Sequence, residues 1–384
     1  MKNKITIVAI VLIIIGCANA IQSVTQYSPE VLADNATTVA VHDSFKDHFM
    51  IGTALSATQI VGSERFKLDL VKREFNAVTA ENVMKWELIH PKPKEYDFTA
   101  ADQLAKFAEK NDLFLLGHTL LWHNQTPKWV FENRDGSAVS REKLLERLQD
   151  HINTVAGRYQ NDVDAWDVVN EALNEDGSLR ESPWYTILGE DYIEQVFIMA
   201  DTAAPNAKLY YNDYNLFKPE KREGAIRLVK KLQAKGIRID GIGIQGHYGL
   251  DYPDLNELES SIKAFAELGI DIVISELDIT VLPFPQEHEQ GADITLNVVV
   301  GGRFNPYRKA LPDDVQQQQA ERYQAIFAIL NRHKDNISRV SFWGVDDAAS
   351  WRNDWPVKGR TDYPLLFDRE LRKKAFVASL PTAE

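Results

Sequence analysis

The 384-residue chain predicts an α/β fold in which parallel strands close into one (β/α)8 TIM barrel. Short apolar, β-branched runs alternate with amphipathic, charge-rich segments from Phe45 onward. Eight such runs can be counted, and helical crossovers between them make the sheet parallel. Polar and aromatic residues collect just after the runs and not before them, as they do where a barrel carries its active site on the C-terminal face.

In chain order the candidate strands are Met50–Leu55, Ala77–Glu81, Phe114–Leu121, Ala165–Val169, Leu209–Asn212, Gly241–Gln245, Asp271–Ser275 and Val340–Gly344. Helical patterns cover Ala100–Lys110, Arg141–Tyr159, Ile193–Thr202, Glu220–Ala234, Leu255–Leu268 and Val315–His333. No glycine-rich phosphate loop follows the first strand, so a nucleotide-binding doubly wound sheet is the weaker reading. The second strand ends in Glu81-Asn82 with Lys85 close behind, and the third runs into His118, Trp122, His123 and Gln125. Asn170-Glu171 closes the fourth, Asn212-Asp213-Tyr214-Asn215 the fifth and Gln245-Gly246-His247 the sixth. The seventh ends in Glu276 and Asp278, and the eighth leads to Trp343 and then Trp351-Arg352.

Outside the barrel the chain divides simply. Lys2 and Lys4 precede an apolar run, Ile5 to Ile15, too short for a membrane span of about 20 residues. Residues 1–20 are expected to be an export signal. Ile14-Ile15-Gly16-Cys17 has the form of a bacterial lipobox, and Ala18-Asn19-Ala20 fits ordinary signal-peptidase cleavage. Cys17 is the only cysteine, and its position favours a lipid anchor on a cell-surface or periplasmic protein over simple secretion. It also rules out a disulfide or thiol nucleophile within the fold. Residues 21–43 read as a polar tether and 44–384 as one catalytic domain. The Gln316–Gln319 run reads as the start of a helix, and residues 281–314, with Val298-Val299-Val300 as a small hairpin, read as a long loop of the kind that is functional or mobile.

A formal charge of −13 without a long basic run argues against nucleic acid. It gives no reason for membrane contact beyond a lipid on Cys17. Oligomeric state is not encoded, and a monomer is assumed.

The chemistry begins with Glu171 and Glu276, each delivered by an apolar strand. Two carboxylates across one gap can cleave an acetal if one holds a proton and the other is ionised. Glu276, near Asp278 and within reach of His247, suits the ionised role. Glu171, beside Asn170 and four residues past Asp167, suits the acid, because a nearby negative charge raises its pKa. Trp122, Trp343 and Trp351 offer flat faces to sugar rings, and Glu81, Asn82, Lys85, His118, Gln125 and Gln245 offer directed polar groups. No ligand set with zinc spacing appears, so neither metal nor cofactor is expected.

Thr79-Ala80-Glu81-Asn82, Gly117–His123, Trp166–Ala172, Tyr211–Asn215, Gln245-Gly246-His247, Ser275–Asp278 and Trp343–Asp347, in this order, resemble glycoside hydrolase family 10. The resemblance implies an endo-β-1,4-xylanase acting on xylan and xylo-oligosaccharides by a retaining double displacement. Carried over by position, it implies Glu171 as acid/base, Glu276 as nucleophile, Asn170 on the substrate 2-hydroxyl, and His247 with Asp278 supporting the nucleophile. It also implies a glycone site lined by Glu81, Asn82, Lys85, His118, Trp122, Gln125, Tyr214, Gln245, Trp343 and Trp351. Trp86, Trp129, Trp166, Trp184 and Trp355 are read as structural, Asp213 as a loop anchor, and His123 and Arg352 as open. Two rivals remain at this stage: a cellulase or mixed-linkage glucanase on the same barrel, and a non-catalytic sugar-binding surface lipoprotein.

Overall fold

The structure is a computed structural model, described for residues 38–284 and 302–382. The export signal, most of the expected tether, Cys17 and Val298–Val300 lie outside the described residues. Among the described residues no helix is long and apolar enough to cross a membrane.

Nine parallel-paired strands form the sheet: β1 Met50–Leu55, β2 Ala77–Ala80, β3 Phe114–Trp122, β4 Ala165–Asn170, β5 Lys208–Asp213, β6 Gly241–Ile244, β7 His247–Gly249, β8 Asp271–Thr280 and β9 Ile337–Phe342. Pairing runs in sequence from β1 to β6, and β1–β9, β9–β8 and β8–β6 contacts close an eight-stranded barrel. The short β7 sits outside this ring and pairs only with the upper half of β8, His247 opposite Asp278.

The helices form where apolar spacing and caps coincide. In Arg141–Arg158, Leu144, Leu148, His151, Ile152 and Val155 are buried along one face, and the Ser140 side chain accepts the Lys143 N–H. Pro219 opens Pro219–Ala234, where its missing N–H costs nothing, and Asp254 caps Leu255–Ala266 through the N–H groups of Asn256 and Glu257. The glutamine run falls in the first half of Asp313–Arg332.

Inside the barrel, Leu116, Ala165, Tyr210 and Val273 pack with Phe114 as an apolar floor, and the Arg339 guanidinium lies 4.8 Å from the Phe114 ring centre. Above that floor the interior turns polar. Asn170, Asn212 and Gly243 stand in one register across β4, β5 and β6. A Cβ on Gly243 would fall 2.2 Å from Asn212 Oδ1, so a glycine here makes room for the Asn212 carboxamide. Gly117 makes the same concession to Trp166, whose ring a Cβ would meet at 2.3 Å.

The structure corrects three sequence expectations. Packed structure begins before residue 44: Val41–Ser44 is helical, Val41 is buried, and its N–H donates to Glu74 Oε2 at 3.0 Å. Polar composition hid this docking, in which Val41 is buried and Lys373 Nζ donates to Thr38 Oγ1 and Val39 O. β8 continues to Thr280 because β7 pairs with its upper half, so Glu276 and Asp278 stand within the strand and not after it. β9 starts at Ile337 and stops at Phe342, which leaves Trp343 just beyond the strand end.

Candidate active site

Glu171 follows the last residue of β4 in a left-handed conformation, φ 56°. A non-glycine residue pays for this geometry, which recurs at functional sites. Its N–H still donates to Asn212 O at 2.9 Å, so the turn stays fastened to β5. Trp122 Nε1 donates to Oε2 at 2.8 Å and Gln245 Nε2 to Oε1 at 3.1 Å. Burial, then the Asp213 charge and that of Glu276, push its pKa up to about 7 against those two donors.

Glu276 is as buried as Glu171 yet has a different environment. His247 Nε2 donates to Oε2 at 3.1 Å, and Asn212 Nδ2 to Oε1 at 2.7 Å. The second imidazole nitrogen of His247 donates to Asp278 Oδ2 at 3.0 Å. With a carboxylate on each side, both ring nitrogens face acceptors, and this favours the doubly protonated form. Burial works against that charge, but Asp278 and Glu276 raise the His247 pKa overall. Burial also works against ionisation of Glu276, yet His247, the nearby His118 and Asn212 bring its pKa below the usual value.

The two carboxylates are joined by amides. Asn212 Nδ2 donates to Glu276 and, at 2.9 Å, to Asn170 Oδ1; Gln245 Nε2 donates to Glu171 and, at 3.3 Å, to the same Asn170 oxygen. Ser275 Oγ, 2.6 Å from Asn212 Oδ1, fixes the first amide. Because a carboxylate only accepts, Asn212 must turn its NH₂ toward Glu276, and this sets the Asn170 carboxamide in turn.

Around this pair lies a cavity of about 200 Å³, lined by Glu81, Asn82, Lys85, His118, Trp122, Gln125, Asn170, Glu171, Gln245, His247, Glu276, Trp343 and Trp351. Lys85 Nζ donates to Asn82 and Gln125, both at 3.0 Å, and stands 4.7 Å from the Trp122 ring centre. Burial lowers the Lys85 pKa against the pull of Glu276, Glu81 and Glu171. His118 Nδ1 donates to Asp167 at 2.8 Å, so Asp167 serves His118; the carboxylate that bears on Glu171 is Asp213. Two larger hollows, about 840 and 900 Å³, open on the outer faces and contain neither glutamate. Among the described residues no cluster of His, Cys, Asp or Glu is arranged to hold a metal.

Of the residues read from the sequence, Tyr214 is the one member of the sugar-contact set that stands outside that lining among the described residues. Its hydroxyl accepts from Arg180 Nη2 at 2.9 Å, and its ring centre lies 3.6 Å from Lys221 Nζ. Tyr214 lies just past the end of β5, where the chain turns toward the Arg180 loop, and this explains the displacement. Asp278 is fully buried behind His247 and acts through it. Asn212, Arg180, Asp213 and Arg352 belong to the site's support: Asp213 was read as a loop anchor, Arg352 was left open, Asn212 was named only as part of a strand-end cluster, and Arg180 was not singled out. Asn212 had a visible signal, as the strand-end counterpart of Asn170. Arg180 had none, because it lies in an aperiodic loop, where its Nε donates to Glu171 O at 3.3 Å.

A sequence profile described as glycosyl hydrolase family 10 matches residues 40–381. The endo-1,4-β-xylanase A of Xylanibacter ruminicola is 44% identical over 338 residues, 88% of this chain and 91% of that one. The β-1,4-xylanase of Dictyoglomus thermophilum is 46% identical over 340 residues, 88% of this chain and 89% of its own. A solved GH10 endoxylanase from a sugarcane soil metagenome superposes with a TM-score of 0.86 at 43% identity, covering 89% of this chain and 99% of that one. The match extends over nearly all the described structure and includes both β4 with Glu171 just after it and β8 with Glu276 within it. The chain is a glycoside hydrolase and belongs to glycosyl hydrolase family 10.

Proposed function

We propose that the protein is an endo-1,4-β-xylanase that hydrolyses xylan and xylo-oligosaccharides with retention of configuration. The observation that carries this reading is the contrast between two glutamates lining one cavity: Glu276 is held by His247 and Asn212, which lower its pKa, and Glu171 by the uncharged Trp122 and Gln245 in a buried setting that raises its pKa to about 7. Glu171 donates its proton to the departing glycosidic oxygen while ionised Glu276 attacks the anomeric carbon. Esterification removes the Glu276 charge, one of the causes that raise Glu171, so Glu171 stays ionised after giving up its proton and is free to take one from the water that completes the second step. Asn170, its carboxamide set by Asn212, is placed to meet the substrate 2-hydroxyl. The names of the relatives support xylan as the polymer.

Turnover on xylan should greatly exceed that on carboxymethylcellulose, and dominant cellulose activity would assign the site to glucans. ¹H NMR of early products should show the β-anomer first; an α-anomer would refute retention. We also propose export with a lipid on Cys17. A Cys17→Ser variant should leave the membrane fraction, and an unchanged membrane-bound pool would contradict the anchor.

A further inference from the structure

We propose that Arg352 is a positioning residue for the nucleophile, acting through Asp278 on both Glu276 and the sugar platform Trp351. This rests on the reading of Glu276 as nucleophile. Arg352 is fully buried at the start of the loop after β9, in the short turn Trp351–Asn353 that Ser350 caps. Its Nε and Nη2 approach Asp278 Oδ1 at 3.0 and 2.9 Å. The other oxygen of Asp278 accepts from His247 Nδ1 at 3.0 Å and from Trp351 Nε1 at 2.8 Å. One carboxylate therefore joins the nucleophile's histidine, the indole that lines the cavity and a guanidinium adjacent to that indole in sequence.

A buried guanidinium is costly unless it is paired and packed. Arg352 is both: its Cζ lies 4.8 Å from the Trp351 ring centre, 5.3 Å from Trp355 and 5.8 Å from Phe284. The planar stack restricts the fork to the direction of Asp278, which an ammonium on a flexible stem would not do. Arg360 Nη2 donates to Arg352 O at 3.4 Å and to Trp355 O at 2.7 Å, fixing the loop from behind.

The consequence lies in where the protons sit. Within the barrel, Glu276 has His247 and Asn212 as direct partners, with His118, Asp167, Lys85 and Glu171 nearby. Asp278 is faced by His247, Trp351 and Arg352, with Tyr252 and Tyr323 as further titratable neighbours. Arg360 and Asp362 stand behind Arg352. Arg352 is the positive charge that compensates Asp278 from the side away from His247. Without it, a fully buried carboxylate retains its proton more tightly. His247 then loses its reason to stay doubly protonated, and Glu276 loses a charge-assisted donor. Proton affinity at Glu276 rises, and Trp351 loses the acceptor that orients its indole.

The test is kcat and KM against pH on xylo-oligosaccharides for the full chain, comparing wild type, Arg352→Met and Arg352→Lys. The acid limb of kcat/KM should move up by about one pH unit in Arg352→Met, with a raised KM. Arg352→Lys should return the limb toward its original position, because charge sets it, while KM stays raised, because the stack does not re-form. A kcat/KM that falls by one factor at every pH, with the limb unmoved, would overturn the proposal and leave Arg352 a loop anchor. Should the Met variant not fold, Arg352→Gln, which keeps a donor toward Asp278 without the charge, gives the same readout. The nucleophile reading is tested separately by adding azide to Glu276→Ala. An α-xylosyl azide product upholds it whatever Arg352 does, and no such product sinks it whatever Arg352 does.

Discussion

Glu171, just past the end of β4, and Glu276, midway along β8, are the same residue type in the same burial, with pKa values moved in opposite directions. Glu171 and Glu276 are each 4% exposed. Glu276 takes a charge-assisted donor from His247 and an amide from Asn212; Glu171 takes an indole and an amide, neither of them charged. Each also has a buried aspartate with a cation behind it. Asp278, paired with Arg352, reaches Glu276 through a histidine that carries the proton. Asp213, 3.0 Å from Lys221 Nζ, bears on Glu171 with no proton carrier between them. An aspartate behind a histidine therefore supports ionisation of its glutamate, and one that acts on its glutamate through its charge alone opposes it.

The most severe way to break this contrast is to delete one side. Glu276→Ala should lower kcat at least about 10⁴-fold on xylo-oligosaccharides, since in the proposed mechanism it is the group that attacks the anomeric carbon. A variant retaining a tenth of wild-type turnover would show that the β8 end is not the nucleophile. Glu171→Gln should cost about 10²–10⁴-fold with natural leaving groups and much less with an activated aryl leaving group, because only the former need a proton. Equal losses on both substrates would take the acid role from Glu171.

Asp213→Asn sharpens the comparison without removing either glutamate. Loss of the facing charge lowers the Glu171 pKa, so the basic limb of kcat/KM, which reports loss of the acid's proton, should shift down by about one pH unit. A limb that stays in place would mean that burial alone sets the acid. Gly243→Ala perturbs the amide chain instead. A Cβ 2.2 Å from Asn212 Oδ1 should destabilise the fold by about 1–3 kcal/mol in chemical denaturation and weaken both limbs together. Unchanged stability would show that Asn212 has room to move.

A smaller effect bounds the acid side of any pH profile. His90 and His151 meet at 3.2 Å between their Nδ1 atoms, and His151 stacks on Trp86 at 3.6 Å. Burial lowers the His90 pKa to about 4, and burial with the neighbouring His90 holds that of His151 well below the usual imidazole value. The unfolded chain therefore binds more protons than the folded one between about pH 4 and 6.5, so stability is full above that window and is lost as pH falls through it. The melting temperature should drop by several degrees from pH 7 to pH 4.5, and less in His151→Phe. A flat melting temperature would free the acid limb for assignment to Glu276 alone.

Much of this was legible in the chain itself. Apolar runs and amphipathic periods located every strand of the ring, since a parallel barrel strand buried on both faces has no other composition available. Both glutamates stood out because Asn170-Glu171 and Glu276 break apolar runs that folding alone would leave apolar. β7 was missed: three residues after Gly246 carry no period, and they become a strand only because the upper half of β8 needs a partner. The role of Asp213 was misassigned to Asp167, four residues before Glu171, because sequence distance along a strand says nothing of which neighbouring strand places a charge beside it. Arg352 and Lys221 were unreadable for a related reason, as each is recruited from a loop or helix distant in the chain to a carboxylate it meets only in the fold.

The central claim is that neighbours, not burial, divide the proton between the two glutamates. A ¹³C NMR titration of the glutamate side-chain carboxyls of the free enzyme, assigned with Glu171→Gln and Glu276→Gln, reads this directly. Glu171 should titrate at about 7 and Glu276 below the ordinary 4.5. Titration of both near one value, or in the reverse order, would contradict the account.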